Sequence, residues 1–273
     1  MIIRRKEIEQ LSADIRRIID GQAVDIRDNL EGRLSILKND IHALADRLNE
    51  QAGNLQKEKN ALADTLADIS HQLKTPLTAV MVMVELLEDA PPEKASEFIT
   101  HLKQGLTQTG WLVNSLLKIA KLDSGSVVFS PVSISASSLL NLALQPLQIL
   151  LDIKSQQVNL TGEAEFLCDK NWTAEALTNI IKNASEHSPE GSIIEISAGV
   201  NPLTSWLSVT DNGKGISTAE IKSLFRRFGG SQQGTGIGLP LALAIMHGQN
   251  GDMEVDGGGN GQGATFTLKF YSD

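Results

Sequence analysis

Apolar residues recur at spacings of three, four and seven along the N-terminal part of the chain, and this pattern most constrains the fold. The positions are Ile41, Leu44, Leu48, Leu55 and Leu62. Such a seam predicts a long helix that pairs with a second copy in a parallel coiled coil; the alternative is an amphipathic helix with no special purpose. A step of four from Leu62 to Leu66 shifts the phase, which predicts a stutter just before residue 70.

A shorter apolar stripe precedes this helix, and it consists of Ile8, Leu11, Ile15 and Ile18. Gly21 is a candidate helix stop, residues 22–33 form a polar connector, and a second helix is expected to resume near Leu34. A helix, a short connector, a helix and then a coiled coil resemble a degenerate HAMP linker module. We therefore interpret residues 1–59 as a helical linker.

A helical hairpin is predicted over residues 60–124. Ala90-Pro91-Pro92 ends its first helix, and an apolar stripe from Phe98 to Ile119 indicates a second helix over about residues 93–122. Two helices bury little core alone, so we expect two hairpins to dimerise into a four-helix bundle.

From residue 125 the pattern changes to mixed α and β, which predicts an α/β sandwich over residues 125–273. The strand signals lie at 127–129, 157–160, 165–168, 193–200, 205–210, 253–255 and 264–270. The helical segments lie near residues 135–152, 170–187 and 238–249. Two domains after a linker suit a chain of 273 residues.

Charge and composition exclude several classes of function. The 24 basic and 33 acidic residues give a net charge of −9, which argues against nucleic acid as a partner. The single cysteine, Cys168, excludes a disulfide framework and favours a reducing, cytoplasmic compartment. No run of about 18 apolar residues is evident, so we expect no membrane contact in this chain. Basic residues 4–6 suggest either the end of an upstream transmembrane segment or an ordinary start.

His71 is the first residue with a candidate chemical role. It lies between Ile69 and Leu73, which occupy the apolar seam, so its ring is expected to point outward beside Thr75. Pro76 lacks an N–H and favours a kink at this point. An exposed imidazole can act as a nucleophile, although an exposed histidine is more often an ordinary surface residue.

Asn179 and Asn183 form a second candidate group, together with Glu175 and His187 on the same helix face. Asparagine is a poor residue for a helix interior, so two on one face suggest oxygen ligands for Mg²⁺. The alternative is a solvated polar face.

Two glycine-containing segments complete the candidate site. Residues 211–215, Asp-Asn-Gly-Lys-Gly, follow a strand, and the Asp211 carboxylate can accept a hydrogen bond from an exocyclic amine, although a plain turn would look similar. Residues 234–240 lead into a helix whose free N–H groups favour an anion such as phosphate.

Taken together and in this order, the motifs resemble those of sensor histidine kinases over about residues 60–273. The segments similar to the family's H, N, first glycine, F, second glycine and closing glycine boxes are 70–76, 179–183, 211–215, 224–228, 234–239 and 261–266.

The resemblance implies a dimerising phosphotransfer hairpin and a Bergerat-type ATP-binding sandwich that uses ATP and Mg²⁺. It implies that His71 accepts the phosphoryl group beside Gln72 and Thr75, and that Asn183, helped by Asn179, holds Mg²⁺. It further implies that Asp211 reads the adenine amine and that Arg227 contacts the γ-phosphate. The rest of the implied nucleotide site is His187, Gly213, Gly215, Ile216, Gly234, Thr235, Gly236, Gly238 and Leu239.

The implied partners are a second copy of the chain and the receiver domain of a response regulator, whose aspartate takes the phosphoryl group. The implied activity is a kinase that also dephosphorylates its regulator. The implied location is the cytoplasmic side of a membrane, with a transmembrane segment upstream in the full-length parent.

Three features depart from the family pattern. Gln72 stands where an acidic residue is usual, Glu186-His187 replaces a Lys-Tyr pair, and only residues 229–233 separate Phe228 from Gly234. Gln72 favours a phosphatase-biased scaffold with weak kinase activity as the alternative. A non-kinase ATPase of the same nucleotide fold, such as a chaperone or DNA-repair clamp, would lack the histidine-containing hairpin.

Overall fold

A computed structural model describes residues 5–19, 25, 33–88, 91–227, 236–258 and 263–271. Residues 1–67 and 68–273 form two compact units. The first unit holds helix α1 (Arg5–Ile19) and the N-terminal part of helix α2 (Arg33–Glu88). The predicted stop at Gly21 and almost all of the connector lie outside the described residues, so the HAMP resemblance stays a prediction.

Helix α2 begins at Arg33, close to the predicted start near Leu34. It forms one continuous helix to Glu88 that includes Pro76. The seam leucines at 44, 48, 55 and 62 are each more than half exposed in the single chain. An uncovered apolar stripe on a long helix is what a coiled coil would bury. The coiled coil itself stays a prediction.

The C-terminal part of α2 and helix α3 (Pro92–Asp123) form the predicted hairpin. Pro91 and Pro92 fix an extended entry and the first helical position of α3, where a missing N–H costs nothing. The helices approach closely at Gly105, where a Cβ atom would lie 2.7 Å from Cγ2 of Val80. A side chain at position 105 would therefore require the Val80 side chain or the helix that carries it to shift.

Within the described part of residues 125–273, the sandwich contains two sheets and five α-helices. The strands are β1 (Val132–Ser135), β2 (Gln157–Thr161), β3 (Glu165–Cys168), β4 (Ile193–Val200), β5 (Thr204–Thr210), β6 (Gly251–Asp256) and β7 (Thr265–Tyr271). The helices are α4 (Ala136–Leu144), α5 (Gln148–Ile153), α6 (Lys170–His187), α7 (Thr218–Leu224) and α8 (Gly238–Gly248). The larger sheet has the order β2-β4-β5-β7-β6, in which only β2 and β4 run parallel, and β1 pairs with β3 in the smaller sheet.

These elements confirm the predicted α/β sandwich, with four differences. The strand expected at 127–129 is wrong: this segment is irregular, and Phe129 packs edge-on against Trp172 with ring centroids 6.0 Å apart. The expected helix over 135–152 is broken by a 3₁₀ turn at Gln145–Leu147, because Pro146 cannot donate an α-helical hydrogen bond. Strand β1 and helix α7 were not predicted.

The core lies between the larger sheet and helices α4, α6 and α8. Alternate residues of β4, β5 and β7 point inward and are fully buried, and they are Ile194, Ile196, Leu207, Val209, Phe266 and Leu268. Cys168 also lies in this core, and burial raises the pKa of its thiol above the ordinary value.

One helical stretch among the described residues, Ala136–Ile153, is long and apolar enough by composition alone to cross a membrane. It comprises α4, the 3₁₀ turn and α5, and its residues Leu139, Ala143 and Leu147 are buried in the core of the sandwich. A bent stretch with core contacts is typical of a helix in a soluble domain, so this composition is weak evidence of a span.

A buried glutamine fixes the C-terminal end of α6. Nε2 of Gln156 donates to the carbonyl oxygens of Pro189 at 2.9 Å, Ser185 at 3.2 Å and Ser188 at 3.3 Å. Its Oε1 accepts a hydrogen bond from Oγ of Ser185 at 2.6 Å. At the N-terminal end of α6, Oε1 of Gln249 accepts a hydrogen bond from the backbone N–H of Asp169 at 2.6 Å.

We expect Gln156→Leu to lower the free energy of unfolding by about 2–4 kcal/mol, because the buried Ser188 carbonyl and Ser185 hydroxyl lose the partner that Gln156 provides. Gln249→Leu should cost about 1 kcal/mol, since Gln249 is partly exposed and water can replace its bonds. Urea unfolding followed by circular dichroism measures both. An equal or smaller loss for Gln156→Leu would contradict this account of the α6 terminus.

Candidate functional site

His71 lies exposed on α2, as its position beside the apolar seam predicts. Leu73, two residues later, packs against a buried apolar cluster that includes Leu112 and Ile119 of α3 as well as the core of the sandwich. Oγ1 of Thr75 donates to the carbonyl oxygen of His71 at 3.2 Å, and His71, Lys74, Thr75 and Thr78 line a shallow groove. The neighbouring Gln72 is half-buried. The imidazole is therefore open to an incoming electrophile.

Helix α6 carries the predicted amide pair. Asp169 caps its N-terminus by accepting from the N–H groups of Asn171 and Trp172. Nδ2 of Asn179 donates to the carbonyl oxygen of Glu175 at 2.9 Å, and its Oδ1 faces α8. Asn179 is buried and Asn183 is half-buried, whereas His187 at the end of the helix is exposed. The face of α6 that carries the two asparagines is therefore buried at Asn179 and reaches the surface at His187.

A glycine at the start of α8 makes room for this amide pair. A Cβ atom at Gly238 would lie 3.0 Å from Oδ1 of Asn179, closer than most real Cβ contacts. The first N–H groups of an α-helix have no intrahelical acceptor, and Ile237, which precedes α8, provides no side-chain cap for them. Leu239 is buried and anchors this turn, and Gly236 has a φ of +64°. This helix start offers N–H donors to an anion.

Asp211 follows β5 and is only 4% exposed. Its Oδ1 accepts from the N–H of Gly213 at 2.8 Å and of Ala264 at 3.1 Å. Among the residues that the structure describes, both hydrogen bonds fall on Oδ1, which leaves Oδ2 to a ligand. Gly263, at a φ of +45°, passes so close to the Asp211 carbonyl that a Cβ atom would lie 1.8 Å from its oxygen. The carboxylate is therefore held by backbone in one orientation.

The Asp211 loop is joined to the end of α6. The N–H of Asn212 donates to Oγ of Ser188 at 3.1 Å. A Cβ atom at Gly213 would lie 2.7 Å from the carbonyl oxygen of His187, so the two backbones touch. Ser188 thus binds Gln156 through its carbonyl oxygen and Asn212 through its hydroxyl. These two hydrogen bonds connect the end of α6 to the loop that carries Asp211. Gln156 and Ser188 were missed in the sequence because their partners lie far apart along the chain.

The predicted residues Gly215 and Ile216 lie between this loop and α7. The N–H of Ile216 donates to the carbonyl oxygen of Gly257 at 2.9 Å. Helix α7 begins with a capping box in which the side chains of Ser217 and Glu220 bond to each other's backbone N–H. Hydrogen bonds from the side chain and backbone of Ser217 hold the pKa of Glu220 below its ordinary value. The Ser-x-x-Glu spacing was the sequence signal for this overlooked helix.

Arg227, three residues after α7, forms an ion pair with the hairpin. Its Nη2 contacts Oδ2 of Asp123, the last residue of α3, at 2.5 Å. Lys118, on the same helix, pairs with Glu175 of α6 at 2.7 Å. The structure thus gathers Asn179, Gly238, Asp211, Gly213 and His187, while Arg227 is bound to the hairpin. Gly234 and Thr235 lie outside the described residues.

The oxygen atoms available here suit a magnesium ion whose other ligands are phosphate oxygens. No cluster of three or more His, Cys, Asp or Glu side chains able to hold a metal occurs within the described ranges. The candidate ligands are the amide oxygens of Asn179 and Asn183, which are neutral oxygens of the kind that Mg²⁺ accepts. Asn179 and Gly238 also form a cradle that any side chain at 238 would fill. These residues fit a metal bound chiefly through a nucleotide.

Family models match two parts of the chain. Residues 61–125 match the His Kinase A (phospho-acceptor) domain, and residues 168–272 match the family of histidine kinase-, DNA gyrase B- and HSP90-like ATPases. The first match contains His71, Gln72 and Thr75, and the second contains the amide pair, Asp211 and α8.

Whole-chain comparison gives relatives of the same kind. The signal transduction histidine-protein kinase BaeS of Escherichia coli is 26% identical over 251 residues, which cover 88% of this chain and 54% of BaeS. The chain therefore spans about half the length of this curated relative.

Solved structures share the fold. The histidine kinase AdeS of Acinetobacter baumannii matches with a TM-score of 0.63 at 23% identity, over 74% of this chain and 97% of AdeS. The histidine kinase ThkA, in its complex with the response regulator protein TrrA, matches with a TM-score of 0.66 at 17% identity, over 82% of this chain and 66% of that one. With a phospho-acceptor hairpin followed by a histidine-kinase-type ATPase domain, the chain belongs to the two-component sensor histidine kinases.

Proposed function

We propose that this chain is an ATP-dependent protein-histidine kinase that phosphorylates its own His71 and passes the phosphoryl group to an aspartate of a response regulator. The observation that supports the proposal is that one compact unit holds both the exposed imidazole of His71 and the candidate nucleotide site. His71 lies on a helix whose Leu73 packs against the buried apolar cluster. That cluster includes Ile180, the neighbour of Asn179, and Val209, two residues before Asp211.

The nucleotide contacts follow from the donors and acceptors present. The free Oδ2 of Asp211 is suited to accept from the adenine amine, with Gly213, Gly215, Ile216 and His187 around it. The α8 N-terminus, with Gly236, Gly238 and Leu239, would hold the phosphates together with Gly234 and Thr235. Asn183, helped by Asn179, would hold Mg²⁺, which when bound offsets phosphate charge.

Phosphoryl transfer makes simple demands on His71. An unprotonated ring nitrogen attacks the γ-phosphorus of ATP, the N–P bond forms, and the bond to the ADP oxygen breaks. The proton on the other ring nitrogen must then leave. Gln72 can only hydrogen-bond and cannot accept that proton as a base. Because phosphoryl transfer depends mostly on positioning and charge, we expect a slow but real kinase.

The proposed partners follow from the hairpin. Several of its apolar residues are exposed in a single chain, among them Leu77, Met81, Leu106 and Leu117. Burial of this surface in a second copy supports a homodimer with a four-helix bundle. The solved ThkA complex contains a response regulator protein, which supports a receiver domain as the acceptor here.

We further propose a division into three domains: a helical linker at 1–59, the hairpin at 60–124 and the ATP-binding domain at 125–273. The two family matches, which begin at residues 61 and 168, support it. The full-length parent is proposed to lie in the cell membrane, with this part in the cytoplasm and a transmembrane segment upstream. The net charge of −9 speaks against nucleic acid as a partner.

A second candidate function is a phosphatase-biased regulator with weak kinase activity. It is favoured by Gln72 and Thr75, an amide and a hydroxyl at neighbouring helical positions near His71. Such groups can hold a water in line with the regulator's phosphoryl group. The only hydrogen bond described for the Thr75 hydroxyl runs to the His71 carbonyl, and a rotation about χ1 would free it.

The first test is incorporation of label from γ-labelled ATP. His71→Gln should reduce incorporation to background, because the amide cannot form the N–P bond. His101→Gln is the matched control, since His101 is an exposed histidine of the same hairpin with no proposed role, and it should retain wild-type labelling. Label that persists in His71→Gln would exclude His71 as the acceptor.

Asp211→Asn should weaken ADP binding by about 10- to 100-fold, because a carboxylate oxygen that accepts from adenine is replaced by an amide donor. The fold should survive, since the asparagine Oδ1 can keep both backbone hydrogen bonds. Titration calorimetry measures the affinity. Asp252→Asn is the control, because Asp252 also accepts from a backbone N–H, that of Met253 at 2.8 Å, and is not among the residues of the proposed site. Unchanged ADP affinity in Asp211→Asn would remove the adenine assignment.

Gln72→Glu should raise the rate of autophosphorylation by up to about 100-fold. This factor is the lower end of what a general base typically contributes. Thr75→Ala should lower the ratio of phosphatase to kinase activity, and Thr75→Ser, which keeps the hydroxyl, should restore it. Single-turnover labelling and dephosphorylation of a purified phosphorylated regulator measure the two rates. Slower labelling of Gln72→Glu would mean that Gln72 has a positive role of its own.

A further inference from the structure

A groove beside His71 contains two side chains, those of Lys74 and Thr78, that the proposed transfer chemistry does not use. The groove is lined by His71, Lys74, Thr75 and Thr78, which lie at positions i, i+3, i+4 and i+7 of helix α2. This spacing places the four side chains on one face of the helix. All four residues are exposed, so the groove is open to solvent.

Lys74 carries a positive charge that no described carboxylate neutralises. The residues three and four positions away on either side are not acidic, and they are Ser70, His71, Leu77 and Thr78. Among the residues that the structure describes, none forms an ion pair with Lys74, whereas Lys118 of the same hairpin pairs with Glu175 at 2.7 Å. An ammonium beside an exposed imidazole therefore gives this groove a positive potential, in a chain whose net charge is −9.

The hydroxyl of Thr78 is available to a ligand as well. A threonine hydroxyl inside a helix commonly donates to the carbonyl oxygen four residues earlier. Four threonines of α2 and α3 do so at distances between 2.7 and 3.2 Å, and they are Thr65, Thr75, Thr100 and Thr109. Within the described parts of the chain, the Thr78 hydroxyl makes no such bond, although it lines the groove. It can therefore donate to a group that enters there.

Phosphorylation of His71 changes the charge in this groove, and the inference rests on the proposed function at this point. A ring nitrogen forms the N–P bond, the ADP oxygen takes the electron pair of the broken O–P bond, and the ring proton passes to solvent. The phosphoryl group brings nearly two negative charges and three acceptor oxygens to the ring. Side chains three positions apart on a helix have Cβ atoms about 5–6 Å apart, so the flexible stem of Lys74 can carry its ammonium to that group.

We propose that Lys74 and Thr78 form a subsite that holds the phosphoryl group once it has been transferred to His71. The Lys74 ammonium pairs with the phosphoryl oxygens, and the Thr78 hydroxyl donates a hydrogen bond to one of them. Both contacts form only with the phosphorylated ring. The subsite therefore stabilises phosphorylated His71 relative to the free imidazole and slows the return of the phosphoryl group to ADP.

The expected size of the effect is modest, because the groove is open to solvent. The usual worth of an ion pair at an exposed position corresponds to a change of about 1.5- to 5-fold in an equilibrium constant. Salt should reduce the contribution of Lys74 further, since ions screen exposed charges. The contribution of the Thr78 hydroxyl, which carries no charge, should depend less on salt.

The experiment measures two second-order rate constants of the full chain with Mg²⁺, at nucleotide concentrations below the dissociation constants. One is the labelling of His71 by γ-labelled ATP, and the other is the return of label from the purified phosphorylated chain to ADP. Their ratio is the equilibrium constant for phosphorylation of His71. A residue that only aligns the reactants changes both rate constants by the same factor, whereas a residue that stabilises phosphorylated His71 changes the ratio.

Lys74→Gln should lower this ratio by about 1.5- to 5-fold, with a smaller loss at high salt. Lys74→Arg, which keeps the charge, should retain the wild-type ratio. Thr78→Val, which removes the hydroxyl at nearly constant shape, should lower the ratio in the same direction, and Thr78→Ser should restore it.

Lys94→Gln is the matched control, and it should leave the ratio unchanged. Lys94 is an exposed lysine in the first turn of α3, at the end of the hairpin that lies about 25 Å of helix beyond His71. If Lys74→Gln takes up too little label for the return to be followed, the comparison of Thr78→Val with Thr78→Ser decides the question.

An unchanged ratio in Lys74→Gln and Thr78→Val, or an equal loss in Lys94→Gln, would overturn the inference. Neither result would touch the proposed kinase function, which fails separately if the wild type takes up no label or if His71→Gln still becomes labelled. The ratio of the two rate constants and the presence of label therefore distinguish the two failures.

Discussion

The burial of helix α6 is the constraint on which the rest of the ATP-binding domain depends. One side of this helix, with Leu177, Ile180 and Ile181, is fully buried between the larger sheet and α8. Because those side chains fix the rotation of the helix, Asn179 is held at the start of α8 and Asn183 at the surface. A turn of about 100°, one residue of helical advance, would move the amides out of the site. The packing of the core therefore also fixes the positions of the two asparagine amides.

Much of this arrangement was predictable because it is local. The bounds of α6, β3 and β4 agree with their sequence patterns to the residue, since alternation and helical periodicity act over short distances. The exposure of His71 follows from its place beside Ile69 and Leu73 in the seam. Family motifs supplied the roles of the residues, which periodicity alone could not give.

Other features depend on contacts that no local pattern contains. Phe129 belongs to an apolar run that reads as a strand, yet it packs against Trp172 and beneath Gly248. Asp123 and Arg227 are separated by 104 residues, and Gln156 meets Ser188 from 32 residues away. Such pairs are selected by the three-dimensional packing of helices on a sheet. Charge and polarity at a single position do not disclose their partners.

The three tryptophans lie in different surroundings, so their fluorescence can report on different parts of the molecule. Trp111 stands at the boundary of α3 and α6 against the Lys182 ammonium, whereas Trp172 packs on Phe129 and Trp206 lies over Gly199 on the sheet. Withdrawal of α3 from the ATP-binding domain would change the polarity around Trp111 while the surroundings of Trp206 stay as they are. With Trp172 and Trp206 replaced by phenylalanine, the emission wavelength of the remaining indole would report on that boundary alone, with no dye attached.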